Sequence, residues 1–149
     1  MKKNILIIDD SALMRRVLSD IINESSNYQV VYTATDGIAG LKILEEHNDI
    51  HVIFLDIHMP KMDGIEFLEV AKRKNINVDT FVFSSIATKD GEETMRALEL
   101  GALDFISKPT NILSNKDRFS KIVFDLLDML DVKRQSARVE TIVTKVEKK

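Results

Sequence analysis

The stretch Val52-Ile53-Phe54-Leu55-Asp56-Ile57-His58-Met59-Pro60-Lys61-Met62-Asp63-Gly64 places an aspartate between a short apolar run and a group of turn-forming residues. Four consecutive apolar residues are too few for a helix and are typical of a strand buried on both faces of a parallel sheet. Pro60 and the pair Asp63-Gly64 indicate a turn directly afterwards. Asp56 is therefore expected at the carboxyl edge of the sheet, where open α/β folds place their chemistry. Taken alone, however, such an aspartate is more often a turn or capping residue.

The pattern of a strand followed by a helix is predicted five times along the chain. The predicted strands are 4–8, 29–34, 52–55, 80–84 and 104–107. Ser11 is a suitable N-cap for the first helix, whose apolar positions are Leu13, Met14, Val17, Leu18, Ile21 and Ile22. The second helix carries Ile38, Leu41 and Leu44, and the later helices are predicted at 65–74, 92–100, capped by Gly101, and 117–130. These units predict a doubly wound, five-stranded parallel sheet with helices on both faces.

The composition favours a single soluble domain and excludes several classes of chemistry. The chain has 149 residues, of which 44% are hydrophobic. It has neither an apolar run of membrane-spanning length nor an apolar N-terminal leader, so no membrane association and a cytoplasmic location are expected. The absence of cysteine excludes disulfides, thiol catalysis and thiolate metal sites. The three histidines show no ligand spacing, so any metal would be bound by oxygen atoms.

The charge is distributed unevenly and suggests a boundary near Asp131. Residues 132–149 contain six Lys or Arg and two Glu, whereas residues 1–131 contain 15 basic and 22 acidic residues. The acidic balance of residues 1–131 argues against nucleic-acid binding by that part. We therefore expect a domain at 1–131 and a basic linker or tail at 132–149, which could be helical. A linker is favoured, because residues 133–136 interrupt the apolar stripe of the preceding helix, but Val139, Ile142, Val143 and Val146 also suit a helix that packs on a second copy or on an effector.

Five polar residues follow the predicted strands and are expected to meet at one edge of the sheet. They are Asp9, Asp10, Asp56, Ser84 and Lys108. Three neighbouring carboxylates repel one another, and a divalent cation such as Mg²⁺, which prefers oxygen ligands, would relieve this repulsion. A lysine and a hydroxyl at the rim would suit a phosphoryl group. Each residue alone would be an ordinary turn or surface residue, and it is their joint placement that predicts a site.

Residues 3–130 resemble the receiver domain of two-component response regulators. The matching motifs are Asp9-Asp10, Asp56 with Met59-Pro60-Lys61-Met62-Asp63-Gly64, Ser84, and Lys108-Pro109, each at the end of its predicted strand. The stretches 9–15 and 97–105 are most similar to the receiver of the chemotaxis protein-glutamate methylesterase. The resemblance implies the flavodoxin-like receiver fold and a role in chemotaxis or motility signalling. It also implies a sensor histidine kinase as a partner, together with an output domain or an effector protein.

The resemblance also implies a role for each residue at the acidic end of the site. Asp56 would be the phosphoacceptor that takes a phosphoryl group from a phosphohistidine of the kinase. Asp10, Asp56 and the backbone carbonyl of His58 would bind Mg²⁺, with Asp9 helping through a water molecule.

The remaining matched residues would bind the phosphoryl group or respond to it. Lys108 would pair with the phosphoryl group, and its bond to Pro109 would be cis. Ser84 would donate its hydroxyl to a phosphoryl oxygen, and Phe105 would be the aromatic residue that turns inward in response. Phosphorylation would in this way alter the surface of the last two βα units.

Other functions fit the sequence less well. A magnesium-dependent phosphohydrolase with an aspartyl-phosphate intermediate would place an acid two residues after the nucleophile, where this chain has His58. A flavin-binding module would require a glycine- and hydroxyl-rich phosphate loop in place of Asp9-Asp10. A methylesterase would require a catalytic triad, and the chain has no Gly-x-Ser-x-Gly motif. We therefore expect no enzyme activity beyond self-dephosphorylation. The alternatives are a degenerate receiver that acts through protein contacts and an N-terminal regulatory fragment of a two-domain methylesterase.

Overall fold

The computed structural model describes residues 1–84 and 91–147, and for residues 136–147 it describes the backbone alone. Within these ranges, five strands alternate with five helices. The strands are β1 (Lys3–Ile8), β2 (Tyr28–Ala34), β3 (Val52–Asp56), β4 (Asp79–Ser84) and β5 (Asp104–Ser107). The helices are α1 (Ala12–Asn23), α2 (Gly37–Glu46), α3 (Gly64–Arg73), α4 (Glu92–Glu99) and α5 (Lys116–Glu147).

The strands form one parallel sheet in the order β2-β1-β3-β4-β5. β3 lies in the centre, and its five residues are all buried, as its uninterrupted apolar run predicts. In the register of the sheet, Ile8 pairs with Leu55, Asp56 with Phe83, and Ser84 with Ser107. The carboxyl ends of β1, β3, β4 and β5 therefore lie side by side. The predicted doubly wound α/β fold is confirmed.

Alternate residues of the strands supply two core layers, one on each face of the sheet. Ile7 and Phe54 face a layer that contains α1 and α5, whereas Ile8 and Leu55 face a layer that contains α2, α3 and α4. Burying each of these large side chains contributes roughly 1.5–3 kcal/mol. The two layers hold the sheet rigid and fix the strand ends that carry the polar residues.

The first three helices begin at the carboxyl edge with a side-chain cap. The side chains of Ser11, Asp36 and Asp63 accept hydrogen bonds from backbone N–H groups three residues later, at 3.2, 2.9 and 2.9 Å. The predicted N-cap at Ser11 is thus confirmed, and Gly101 follows α4 with a φ of 103°, as a glycine beyond a helix end can.

Some apolar residues that were expected to face the core are exposed. Leu13 and Ile38 retain 46% and 52% of their accessible surface, while Leu18 and Leu41 on the same helices are buried. Both exposed residues lie to one side of the buried face of their helix, since Met14, in the same turn as Leu13, is buried. No helix in the described part of the chain is both long and apolar enough to cross a membrane.

The last helix is longer than the sequence predicts. α5 was expected at 117–130, but it runs from Lys116 to Glu147 with no break near Asp131. The turn after Leu130 is attached to the amino edge of the sheet. Tyr28 donates a hydrogen bond to Asp131 at 2.5 Å, and Arg134 lies 3.3 Å from the carboxylate of Asp79. Polar contacts thus continue the attachment of the helix where the apolar stripe ends, and the role of residues 132–149 as a linker stays a prediction.

Candidate functional site

The three carboxylates predicted to converge do lie together. Asp9 and Asp10 follow β1, and Asp56 is the last residue of β3. One carboxylate oxygen from each lies within 4.8 Å of the others. Asp9 and Asp56 retain only 3% and 4% of their accessible surface, whereas Asp10 is exposed. The cluster therefore has two buried acids and one acid that opens to solvent.

Lys108 lies between the two buried acids. Its Nζ is 2.7 Å from Oδ2 of Asp9 and 3.3 Å from Oδ2 of Asp56, and its side chain is only 9% exposed. The backbone N–H of Lys108 donates to the carbonyl of Ser84 at 2.8 Å, which fixes the start of the loop after β5 against the end of β4. A buried ammonium in this position offsets part of the repulsion between the acids.

Asp9 is held by several groups of the protein itself. Its Oδ1 accepts a hydrogen bond from the backbone N–H of Ser11 at 2.9 Å, and its Oδ2 faces Lys108. The Arg15 guanidinium also donates to the backbone carbonyl of Asp9 at 2.7 Å. The sequence reasoning missed this contact of Arg15, although the spacing from Asp9 places the arginine in the first turns of α1, beside the acids. Both carboxylate oxygens of Asp9 therefore have partners within the protein, and these contacts fix the position of the side chain.

Asp56 titrates in an unusual range. Burial and then the charge of Asp9 raise the pKa of its carboxyl from 3.8 to about 7, although Lys108 opposes the shift. In the absence of a further cation, the raised pKa favours the protonated form of Asp56 more than in an ordinary aspartate. A protonated carboxyl is a poor nucleophile, so a cation at this cluster would favour the reactive form.

The donor set of the cluster fits a small hard cation. Three carboxylates supply oxygen atoms, and the exposed side of Asp10 leaves access for the water molecules that Mg²⁺ retains. The side chain of His58 lies at the rim, with Nε2 3.6 Å from the carboxylate of Glu93. The role predicted for the backbone carbonyl of His58 stays a prediction.

The tight turn after Asp56 explains why the sequence has a glycine at position 64 and turn-forming residues before it. The N–H of Gly64 donates to the carbonyl of Ile57 at 2.8 Å, so the chain folds back tightly against the end of β3. A Cβ atom at position 64 would lie 2.5 Å from the carbonyl oxygen of Asp56, which leaves room for glycine only. Asp63 caps α3, and Lys61 adopts a φ of 65°. The motif at 59–64 thus shapes the loop that presents Asp56.

The two residues expected to switch lie on neighbouring strands. Ser84 is the last residue of β4 and is buried, and Phe105 is half-buried in β5, opposite Val82. Phe105 packs against the core layer that contains α4. Ser85, which was expected to close β4 with Ser84, lies outside the described residues.

The predicted cis bond between Lys108 and Pro109 is wrong. No peptide bond in the described ranges is cis. The trans form is favoured by about 0.5–1 kcal/mol even before proline. With a trans bond, Lys108 already reaches both Asp9 and Asp56, so the position of the ammonium requires no cis bond.

Comparison with known proteins places these features in a family. Residues 5–118 match the model of the response regulator receiver domain. A protein-glutamate methylesterase/protein-glutamine glutaminase of Photorhabdus laumondii is 45% identical over 108 residues, which are 72% of this chain and 30% of that protein. The chain thus spans about a third of the length of such relatives.

Two solved structures show the same fold. The response regulator domain of Thermotoga maritima CheB superposes with a TM-score of 0.77 at 32% identity, covering 87% of this chain and 96% of that one. The CheX-CheY-BeF3-Mg complex from Borrelia burgdorferi gives a TM-score of 0.65 at 29% identity, covering 81% and 89%.

Proposed function

Because the chain belongs to the response regulator receiver domain family, we propose that Asp56 accepts a phosphoryl group from the phosphohistidine of a sensor histidine kinase. The observation that carries the proposal is the placement of Asp56. It is buried at the end of the central strand, 3.3 Å from Lys108 and within 4.8 Å of two further carboxylates. This concentration of acids is costly for folding alone, and a phosphotransfer site gives it a use.

In the proposed transfer, one carboxylate oxygen of Asp56 attacks the phosphorus atom in line with the bond to the histidine nitrogen. That bond breaks, and its electron pair stays on the imidazole. Lys108, already within reach of Asp56, would bind a phosphoryl oxygen and offset its charge. Asp10, Asp56 and the backbone carbonyl of His58 would hold Mg²⁺, with Asp9 acting through water, and the bound ion supplies charge neutralisation.

The response to phosphorylation would begin at Ser84 and Phe105. The new group adds about −1.5 to −2 charge and three acceptor oxygens next to β4. The Ser84 hydroxyl would donate to one of these oxygens, and Phe105 would occupy the space that this movement leaves. Phe105 lacks a hydroxyl, so its packing against the α4 layer would carry the signal to the surface.

The relatives favour a role in chemotaxis. The P. laumondii relative is named as a methylesterase/glutaminase, and this chain corresponds to less than a third of it. We therefore propose a regulatory receiver that acts on an output domain or an effector in the cytoplasm. It would itself lack the esterase activity and would not bind nucleic acid. A magnesium-dependent phosphohydrolase remains disfavoured, because His58 lies at the position of the second acid and its imidazole is directed to Glu93.

Labelling with a small phosphodonor tests the proposal. With Mg²⁺ and acetyl phosphate, the protein should gain one hydroxylamine-labile phosphoryl group, and Asp56→Asn should gain none. Asp20→Asn, at an exposed position of α1, is the matched control and should be labelled normally. Labelling of Asp56→Asn to the level of the unmodified protein would remove Asp56 as the acceptor.

A further inference from the structure

The second half of α5 extends beyond the sheet on which the first half packs. Among the residues of α5 whose side chains are described, which end at Gln135, the last core residue is Leu130, whereas the helix continues to Glu147. At about 1.5 Å per residue, the segment from 131 to 147 is roughly 25 Å long. A helix of this length is marginally stable in water by itself. Its stability therefore requires that another surface cover one of its sides.

The first turn of this extension is attached to the domain on one side only. Asp131 accepts the hydrogen bond of Tyr28 at 2.5 Å. Arg134 and Lys133 lie 3.3 and 3.8 Å from the Asp79 carboxylate. These contacts fix the direction in which the helix leaves the sheet.

The opposite side of the helix carries exposed apolar residues at the same level. Met129 and Val132 retain 59% and 62% of their accessible surface. If Met129 is position a of a heptad, Val132 is position d, and the attached residues Leu130, Asp131 and Arg134 are positions b, c and f, while Lys133 is position e at the margin of the apolar pair. The apolar pair therefore lies on the face that the domain leaves uncovered.

The sequence continues the heptad pattern along the extension. The alternating spacing of three and four residues that starts with Met129 and Val132 leads to Ser136, Val139, Val143 and Val146. Residues 133–136 interrupt the core-facing stripe of α5, but that stripe is a different face of the helix. Of the interrupting residues only Ser136 lies on the second stripe, which we call the α5 seam, so the interruption leaves this stripe with a single polar position.

We propose that the α5 seam packs against the α5 seam of a second copy of this chain as a parallel, two-stranded coiled coil. In a parallel pair in register, the one polar seam residue, Ser136, meets its own copy. Asp128, exposed at position g, then lies beside Lys133 of the other copy at position e, and Lys133, whose side chain is 59% exposed, would exchange its 3.8 Å contact with Asp79 for this one. This charge pairing occurs twice by symmetry and would oppose the antiparallel arrangement. The two receiver domains would lie on the outer sides of the helix pair.

Single cysteines test the proposal, because the natural chain has none. Val132→Cys places a thiol in the seam, and Thr141→Cys places one on the same extension but outside the seam spacing. Under mild oxidation of the full chain, Val132→Cys should form a disulfide-linked pair about tenfold faster than Thr141→Cys, because the coiled coil raises the effective concentration of its thiols. A second change, Val139→Lys, should reduce the rate of Val132→Cys to that of Thr141→Cys. Circular dichroism and acetyl phosphate labelling would verify that each variant is folded.

Light scattering of the unmodified protein provides an independent measurement. The mass should rise with concentration from 17.0 kDa towards twice that value, and the rise should be absent from Val139→Lys. Equal oxidation rates for the two cysteine variants, or a mass of 17.0 kDa at every concentration, would overturn the proposal. Cross-linking at Val132 that is unaffected by Val139→Lys would do so as well.

Discussion

Replacing Asp56 with asparagine should raise the free energy of unfolding in the absence of divalent metal. The Asp56 carboxylate is buried, and the charge of Asp9 lies beside it. An asparagine keeps the shape of the side chain and removes its charge, so it removes both the cost of burying an ion and the repulsion from Asp9. It also removes one partner of Lys108, which still has Asp9 at 2.7 Å.

The size of the effect follows from the pKa of Asp56. A shift from 3.8 to about 7 corresponds to roughly 4 kcal/mol at pH values above the folded pKa, since each unit is worth about 1.36 kcal/mol. Asparagine also loses the attraction to Lys108, but the pKa already includes that loss. The pKa does not include the hydrogen bonds of the amide, which are weaker than those of the carboxylate and so reduce the gain. We therefore expect a net gain of about 1–3 kcal/mol at pH 7.5.

The pH dependence of the free energy of unfolding tests independently whether Asp56→Asn stabilises the protein. Between pH 3.8 and about 7, the folded protein holds the Asp56 proton and the unfolded chain does not. The metal-free stability of the unmodified protein should therefore fall as pH rises through this window and level off above it. Asp56→Asn should lack this component of the fall. The difference between the two proteins should consequently be small near pH 4 and largest above pH 7.

Urea unfolding followed by circular dichroism, in buffer with EDTA, measures both quantities. Asp20→Asn, which removes an exposed acid from α1, serves as the control and should change stability by less than about 0.5 kcal/mol. The reasoning is refuted if Asp56→Asn is less stable than the unmodified protein at pH 7.5. That result would mean that the attraction between Lys108 and Asp56 exceeds the costs of burial and of repulsion.

Three further predictions concern the site and the sheet. Asp10→Ala should weaken Mg²⁺ binding, measured by calorimetry, and slow labelling by acetyl phosphate, while metal-free stability rises or stays level; a marked loss would show that Asp10 is a structural acid. Burial and then the charge of Arg134 lower the pKa of His51. Neutral His51 therefore contributes stability above about pH 6.5, and this contribution is lost as pH falls through the lowered pKa. His51→Gln should flatten that part of the curve of urea midpoint against pH. Gly64→Ala would bring a Cβ to 2.5 Å from the Asp56 carbonyl and should destabilise the protein by about 2 kcal/mol or more and slow labelling, whereas an unchanged urea midpoint would show that the turn can relax.

Features that depend on local periodicity could be predicted from the sequence. β3 and β5 were located to within a residue. A fully buried parallel strand such as β3 reads as a short apolar run that ends in a polar residue, whereas β5, a half-buried edge strand, was located from Gly101 and Lys108-Pro109 on either side of it. The convergence of Asp9, Asp10 and Asp56 followed from the rule that parallel strands end at one edge. Family resemblance supplied the roles of these residues.

Features that depend on long-range contacts could not be predicted in this way. The continuation of α5 past Asp131 is supported by Tyr28 and Asp79, which lie far away in sequence and carry no periodic signal. The contact of Arg15 with the Asp9 carbonyl depends on the path of the loop between β1 and α1. The exposure of Leu13 next to the buried Met14 shows that helical spacing identifies a face but does not tell how wide a part of that face the core covers.

The two core layers lie on opposite faces of the sheet and separate the two surfaces through which we propose that the molecule acts. Phe105 and Ile106 are neighbours in β5, yet Phe105 packs with the α4 layer and Ile106 with the α1 and α5 layer. A rearrangement of Phe105 would consequently be read out on the α4 side of the sheet, whereas the α5 seam belongs to the other side. The response to phosphorylation and self-association would then use separate surfaces of one domain. A paired receiver would keep its α4 face free for an effector, and two effectors could be recruited by one assembly.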